Sequence, residues 1–250
     1  MTMARVVADE ALDSLAENDP AAMGSRRDLQ RVHSVMGTRK IVVRALRNLM
    51  TSRPVMAPLR ILELGAGDGT LMLGVARRLA PLLLKVELTL LDRKILVESK
   101  TIESYSKLGW MAKVQTIDVL DWAEAAIYPS YIDQEKKLYD IIVANLFLHH
   151  FDDAQLAIIL NAIAARTDQF FACEPHRSWF SLVGSHLVGV IGANKVTRED
   201  AVLSVHAGFR DNELSLLWQE SETPNSQWKV HEYSAGLFSH CFYADNLRTE

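Results

Sequence analysis

Four groups of residues have types and spacings that could do chemistry. The first is Glu63-Leu64-Gly65-Ala66-Gly67-Asp68-Gly69-Thr70, where an acid precedes three glycines at alternate positions. A glycine has no Cβ, so this turn can adopt positive φ and let a ligand lie against its backbone. The third glycine of G-x-G-x-x-G would fall on Thr70, and no Gly-Lys-Ser/Thr closes the turn. That excludes both a dinucleotide fingerprint and a phosphate-cradling P-loop. Glu63 would repel a pyrophosphate but suits a ligand carrying an ammonium group. The second group is Asp92, placed from Gly65 as the acid at the end of the next parallel strand, where a carboxylate accepts both ribose hydroxyls. Its alternative role is to cap the following helix. The third is His149-His150 and the fourth Glu174-Pro175-His176, with His206 further along. An imidazole titrates near neutral pH, so His150, His176 and His206, with Glu174, are candidates for a general base. Capping or packing competes with that role at each position, and His149 is the weaker of its pair.

The elements that must position these groups alternate strand and helix. Residues 59–64, led in by Pro54 and Pro58, read as a short buried strand, and 71–80 as a helix stopped by Pro81. Strands are predicted over 85–91, 112–117, 138–146 and 168–175. Helices are predicted over 95–108, closed by Gly109, and over 121–127 and 153–166, with a surface loop at 128–137. Two apolar helical segments follow between 178 and 208, split near Gly192-Ala193-Asn194, then a helix over 210–218. Strands 227–234 and 237–244 pair across Ala235-Gly236 as a hairpin. Upstream, residues 1–24 read as a frayed lead-in with at most one short helix, and 25–50 as helix with a break at Gly37-Thr38. This order makes an α/β fold with a parallel sheet, whose ligands bind at the C-terminal ends of the strands, where both histidine-bearing segments fall.

Composition removes several classes. The 250 residues carry 27 basic against 31 acidic side chains, a net charge of −4, and provide no general field for nucleic acid. The two cysteines, Cys173 and Cys241, lie in apolar strand-like runs and read as buried thiols of a reducing compartment. No continuous apolar stretch marks a signal peptide, and the run 179–191 is too short to span a bilayer and contains a histidine and two serines. A cytoplasmic protein without a membrane span is expected. No ligand cluster at metal spacing is seen, so no metal is expected. A homodimer stays open.

The glycine turn resembles motif I of the class I S-adenosylmethionine-dependent methyltransferases. Residues 59–244 as a whole are similar to the quinone-biosynthesis type and its relatives in polyketide and phenolic pathways. The resemblance implies a Rossmann-like, seven-stranded, mostly parallel sheet of order 3-2-1-4-5-7-6, with a C-terminal antiparallel hairpin and a helical lid at about 177–208. It also implies an N-terminal helical cofactor cover over 1–52, ahead of a methyltransferase domain over 53–250. S-adenosylmethionine would lie on Glu63, Gly65, Ala66, Gly67 and Gly69, with Asp92 and Arg93 at its ribose, and S-adenosylhomocysteine would be the product. Asp118 and Val119 would meet its adenine, Asn145 and Leu146 would flank it, and His33, with Arg39, would cover its methionine end. The Trp179, Phe180, Leu182, Val183, Leu187 and Val190 faces of the lid would line a pocket for a small hydrophobic acceptor. After the fourth strand the chain reads Asn145-Leu146-Phe147-Leu148 and not Asn/Asp-Pro-Pro-aromatic, which sets aside the amino-methylating nucleic-acid enzymes. The implied reaction is methyl transfer to a phenolic or enolic oxygen. The alternatives are C-methylation of a quinol precursor, or a SAM-binding module without catalysis.

Overall fold

Strand β1 (Leu59–Leu64) is buried at every position except Arg60, as expected for a strand with both faces covered. Its side chains alternate between two cores: Ile61 enters one, Leu62 and Leu64 the other. The computed structural model describes residues 3–52, 58–82, 85–125, 138–220 and 227–247. The remaining strands are β2 (Val86–Asp92), β3 (Trp110–Thr116), β4 (Ile141–Asn145), β5 (Gln169–Pro175), β6 (Trp228–Ala235) and β7 (Ser239–Asn246). They form one sheet of order β3-β2-β1-β4-β5-β7-β6, in which β7 runs antiparallel to both its neighbours and every other pairing is parallel. The expected architecture is therefore present.

The helices are α1 (Ala11–Ser14), α2 (Pro20–Met36), α3 (Thr38–Ser52), α4 (Thr70–Leu79), α5 (Ser99–Ser106), α6 (Val119–Glu124), α7 (Asp153–Arg166), α8 (Trp179–His186), α9 (Lys195–Ala207) and α10 (Glu213–Glu220). On one face Leu46 and Leu49 of α3, with Met72 and Val75 of α4, pack on Ile61, Leu88 and Val143. On the other, Ile159 and Ile163 of α7 and Trp218 of α10 pack on Leu62, Phe170 and Phe242. Each fully buried side chain of this size contributes roughly 1.5–3 kcal/mol. Cys173 and Cys241 face each other in register as buried free thiols. No helix of the described residues is long and apolar enough to cross a membrane.

Three expectations are corrected. The N-terminal stretch is tied down rather than frayed. The Arg5 guanidinium donates to the carbonyls of Ala207 and Phe151 at 2.9 and 2.7 Å and pairs with Asp153 at 2.8 Å. Asp200 of α9 accepts the N–H groups of Ala11 and Leu12, and the Lys94 ammonium donates to the carbonyls of Leu12 and Asp13. Residues 3–18 thus run as a strap across the C-terminal rim of the sheet. Second, α2 begins at Pro20 and not near residue 25, with Asp19 accepting from Ala21 and Ala22; the break expected at Gly37 is present, its φ of +71° making a one-residue joint to α3. Third, α8 turns its small residues inward, with Ser181 and Ser185 buried and Gly184 against Phe238. Trp179, Phe180, Val183, Leu187 and Val190 are consequently exposed and lie outside the lining of the cavity at the strand ends. The loop read at 128–137 lies outside the described residues.

Candidate active site

The turn after β1 is built from its glycines. Gly65 has φ +67°, and a Cβ there would stand 2.2 Å from the Phe147 ring; Gly67 has φ +55° and meets nothing within 4 Å. One glycine is required by close packing, the other faces open space. Gly69 starts α4, and its carbonyl accepts the Tyr105 hydroxyl at 2.7 Å. Asp92, at the end of β2, accepts the Gly67 N–H at 2.8 Å on one oxygen and the Lys94 N–H at 2.9 Å on the other. The carboxylate thus braces the turn and holds the chain just beyond β2, while α5 begins only at Ser99, so it caps no helix; it also lines the cavity. From above, Gln30 of α2 donates to Asp68 at 2.9 Å, fastening that helix over the turn.

Glu63 is buried at the end of β1. Burial, with Asp68 and Asp92 nearby, raises its carboxyl to about 8. Asn145 of β4 donates to one oxygen at 3.4 Å, whereas Glu63 Oε2 and Asn145 Oδ1 have no partner among the described residues. Both residues line the cavity. Orphaned buried acceptors side by side are costly, and an ammonium donor would satisfy both.

The cavity, of roughly 320 Å³, runs from this turn to the ends of β4 and β5. Its apolar walls come from Leu29, Val32 and Met36 of α2, Val188 and Ile191 of a 3₁₀ turn after α8, and Val205 of α9. Its polar end is a single hydrogen-bonded cluster. Glu174, fully buried on β5, accepts the N–H groups of Phe147, Leu148 and His149 and holds His149 Nδ1 at 2.8 Å. The far nitrogen of that ring, Nε2, lies 3.4 Å from Glu10 of the strap, and the Ser204 hydroxyl donates to Glu10 as well. The His150 ring lies tilted beside it, centroids 4.3 Å apart, with Nδ1 3.5 Å from Asp13. Burial acts against charge on both rings, but the carboxylates on either side of His149 prevail and hold it at about 9. His150, buried beside a charged neighbour, is lowered. His33 lines the opposite wall and is pushed down to about 4 by burial.

The structure brings Glu63, Gly65, Ala66, Gly67, Asp92, Arg93, Asn145, Leu146, His33 and His150 to this one cavity. It does not bring the others. Asp118 accepts from Leu120 as the N-cap of α6, and Val119 is in the core. Gly69 lies under the turn, and Arg39 is folded over Gly74 of α4. Glu174 sits beneath the cavity as a support, His176 stacks on His240, and His206 lies outside the lining. Sequence reasoning missed Glu10, Asp13, Ser204 and Asp200. No local signal marks them, because Glu10 and Asp13 meet His149 and His150, and Ser204 and Asp200 of α9 meet the strap, only once the strap folds across the rim.

No protein-family model matches the chain, and no curated protein matches it. Solved structures do share its fold. The plantazolicin methyltransferase BamL, in complex with a triazolic desmethylPZN analog and SAH, superposes with a TM-score of 0.62 at 17% identity, over 94% of this chain and 92% of that one. The plantazolicin methyltransferase BpumL, in complex with SAH, gives 0.60 at 15% identity, over 92% and 91%. The pyocyanin biosynthetic protein PhzM gives 0.54 at 14%, over 92% of this chain and 60% of that one.

Proposed function

We propose that the chain is a methyltransferase that takes S-adenosylmethionine and acts on a small acceptor bearing a phenolic or enolic hydroxyl. One observation carries this reading: the open face of Gly67 borders a cavity whose floor holds the two unpartnered acceptors of Glu63 and Asn145 and the turn-bracing carboxylate of Asp92. Those groups fit, in order, an ammonium end and a ribose diol. The matching fold, which in two structures carries SAH, supports the same reading.

Bound there, S-adenosylmethionine would supply an electrophilic methyl group. The chain's own part is chiefly placement. Apolar walls on α2, α9 and the 3₁₀ turn exclude water and hold the acceptor, and alignment of reacting atoms at about 3–3.5 Å can supply roughly 7–11 kcal/mol. The polar end of Glu10, His149 and His150 is where an acceptor hydroxyl would lose its proton. A cavity continuing past the turn to that cluster favours an enzyme over a bare binding module. Calorimetry with S-adenosylmethionine and S-adenosylhomocysteine tests the cofactor: binding at one site per chain is expected, and the absence of heat with either refutes it. Native mass spectrometry of the purified chain in the presence of phenolic acceptors tests the substrate class.

A further inference from the structure

The polar end of the cavity has the composition of a metal centre. One ligand atom each from Glu10, His149 and His150 gather within 4.8 Å of one another. His149 Nε2 and Glu10 Oε1 are 3.4 Å apart, close to the edge of a tetrahedron with arms of about 2.0–2.1 Å. Three features separate this cluster from a chance group of polar side chains. First, His149 has its ring orientation set by Glu174, a fully buried carboxylate at Nδ1 that is itself clamped by three backbone N–H groups, which leaves Nε2 aimed at Glu10. A carboxylate behind a histidine is how metal-bound imidazoles are oriented and made more basic. Second, His150 Nδ1 lies 3.5 Å from Asp13, an exposed carboxylate that Arg93 also pairs with. Third, two largely buried carboxylates, Glu10 and Glu174, bracket this end, and no Lys or Arg forms an ion pair with either among the described residues.

We propose that Glu10, His149 and His150 bind a divalent first-row metal ion, Zn²⁺ in the first instance, at the acceptor end of the cavity. Two imidazoles and a carboxylate are ligands that suit Zn²⁺, and three protein ligands leave the fourth position open to the cavity. An ion there would accept the oxygen of a hydroxyl acceptor and ease loss of its proton to water. Because Glu10 belongs to the strap and the histidines to the rim, the ion would also latch the strap across the cavity. The site stands on its own residues and deepens the proposed reaction without depending on the cofactor.

The test is titration of the full-length, tag-free, chelator-stripped chain with Zn²⁺ by calorimetry and with Co²⁺ by visible absorption. The expected result is one ion per chain, with ligand-field bands of a low-symmetry, four- or five-coordinate Co²⁺. Glu10→Gln and His150→Ala, each checked for an unchanged melting transition without metal, should weaken binding by more than the roughly 10–100-fold that losing a supporting partner costs. Binding of S-adenosylhomocysteine, followed in parallel, should survive Glu10→Gln, so failure of the metal site and failure of the cofactor reading are told apart. No stoichiometric ion, or an affinity untouched by both substitutions, overturns the proposal and leaves the cluster as an imidazolium bridged by two carboxylates.

Discussion

Replacing Glu63 by Gln should make the ligand-free protein more stable and the ligand-binding protein worse. Glu63 is buried with one oxygen unpartnered, and desolvation, reinforced by Asp68 on the turn and Asp92 on β2, holds its carboxyl at about 8 against 4.5 for the ordinary group. Tyr105 of α5 is the other titratable neighbour, and the Glu63 charge helps keep its phenol neutral. The native state therefore binds this proton more tightly than the unfolded chain does, and stability falls as pH rises from 4.5 toward 8. At about 1.4 kcal/mol per pH unit the penalty approaches 5 kcal/mol above pH 8, is about 4 at pH 7.5, and stays below about 1 at pH 5. An amide has no such charge, and Asn145 Oδ1, itself without a partner, is available to its N–H. Allowing for imperfect pairing of that amide, Glu63→Gln should stabilise by about 3 kcal/mol at pH 7.5, or about 6–12 °C in melting temperature for a chain of this size. Thermal melts of both proteins at pH 5 and pH 8 measure it. A difference that is absent at pH 8, or equal at the two pH values, would refute the argument. The same variant should bind S-adenosylmethionine at least tenfold more weakly, because the ammonium loses its charged partner.

Other outcomes follow from the same geometry. Gly65→Ala and Gly67→Ala should separate folding from binding. The first drives a Cβ into Phe147 and should lower the melting temperature sharply. The second faces open space, so it should cost only the roughly 1 kcal/mol of a left-handed non-glycine residue while abolishing nucleoside binding, as calorimetry would record. Asp92→Ala should lose both ribose acceptance and its brace on the Gly67 and Lys94 N–H groups, weakening binding more than tenfold and destabilising by about 1–3 kcal/mol. His176→Ala and His206→Ala should leave turnover near that of the parent, since neither ring lines the cavity; a large loss at either would restore it as a base. Deleting residues 1–18 should open the rim, seen as faster release of S-adenosylhomocysteine in stopped-flow measurements.

The parts of the fold legible in the sequence were those specified locally. Ile61, Leu62 and Leu64 declare a doubly covered strand by apolarity alone, and the glycines at 65, 67 and 69 declare a turn because glycine takes their positive φ without the strain a side chain adds. Asp92 was legible through chain distance, since one parallel crossover has a narrow range of lengths. Asp118, by contrast, satisfies the N-cap preference so well that local pattern cannot separate a cap from a ligand contact, and the structure gives it the cap. The inward face of segment 177–208 was misread for a related reason. Trp179, Phe180 and Val183 look like pocket lining because large apolar residues usually turn inward, but α8 approaches Phe238 too closely for them, so Ser181, Gly184 and Ser185 take the inner face.

The strap shows why the polar end of the site was the least readable part. Glu10 and Asp13 acquire meaning only beside His149 and His150, more than 130 residues away, and what holds them there is scattered over Arg5, Lys94 and Asp200. None of these belongs to a motif, and a four-residue helix is too short to form unaided. Its order is borrowed from α9 and from the chain after β2. That dependence has a functional sense. An element held largely by side-chain contacts can be released at modest cost, as a cavity taking the proposed cofactor and acceptor would require. The acids that complete the polar end come with the strap, so docking the strap and assembling that end are one event.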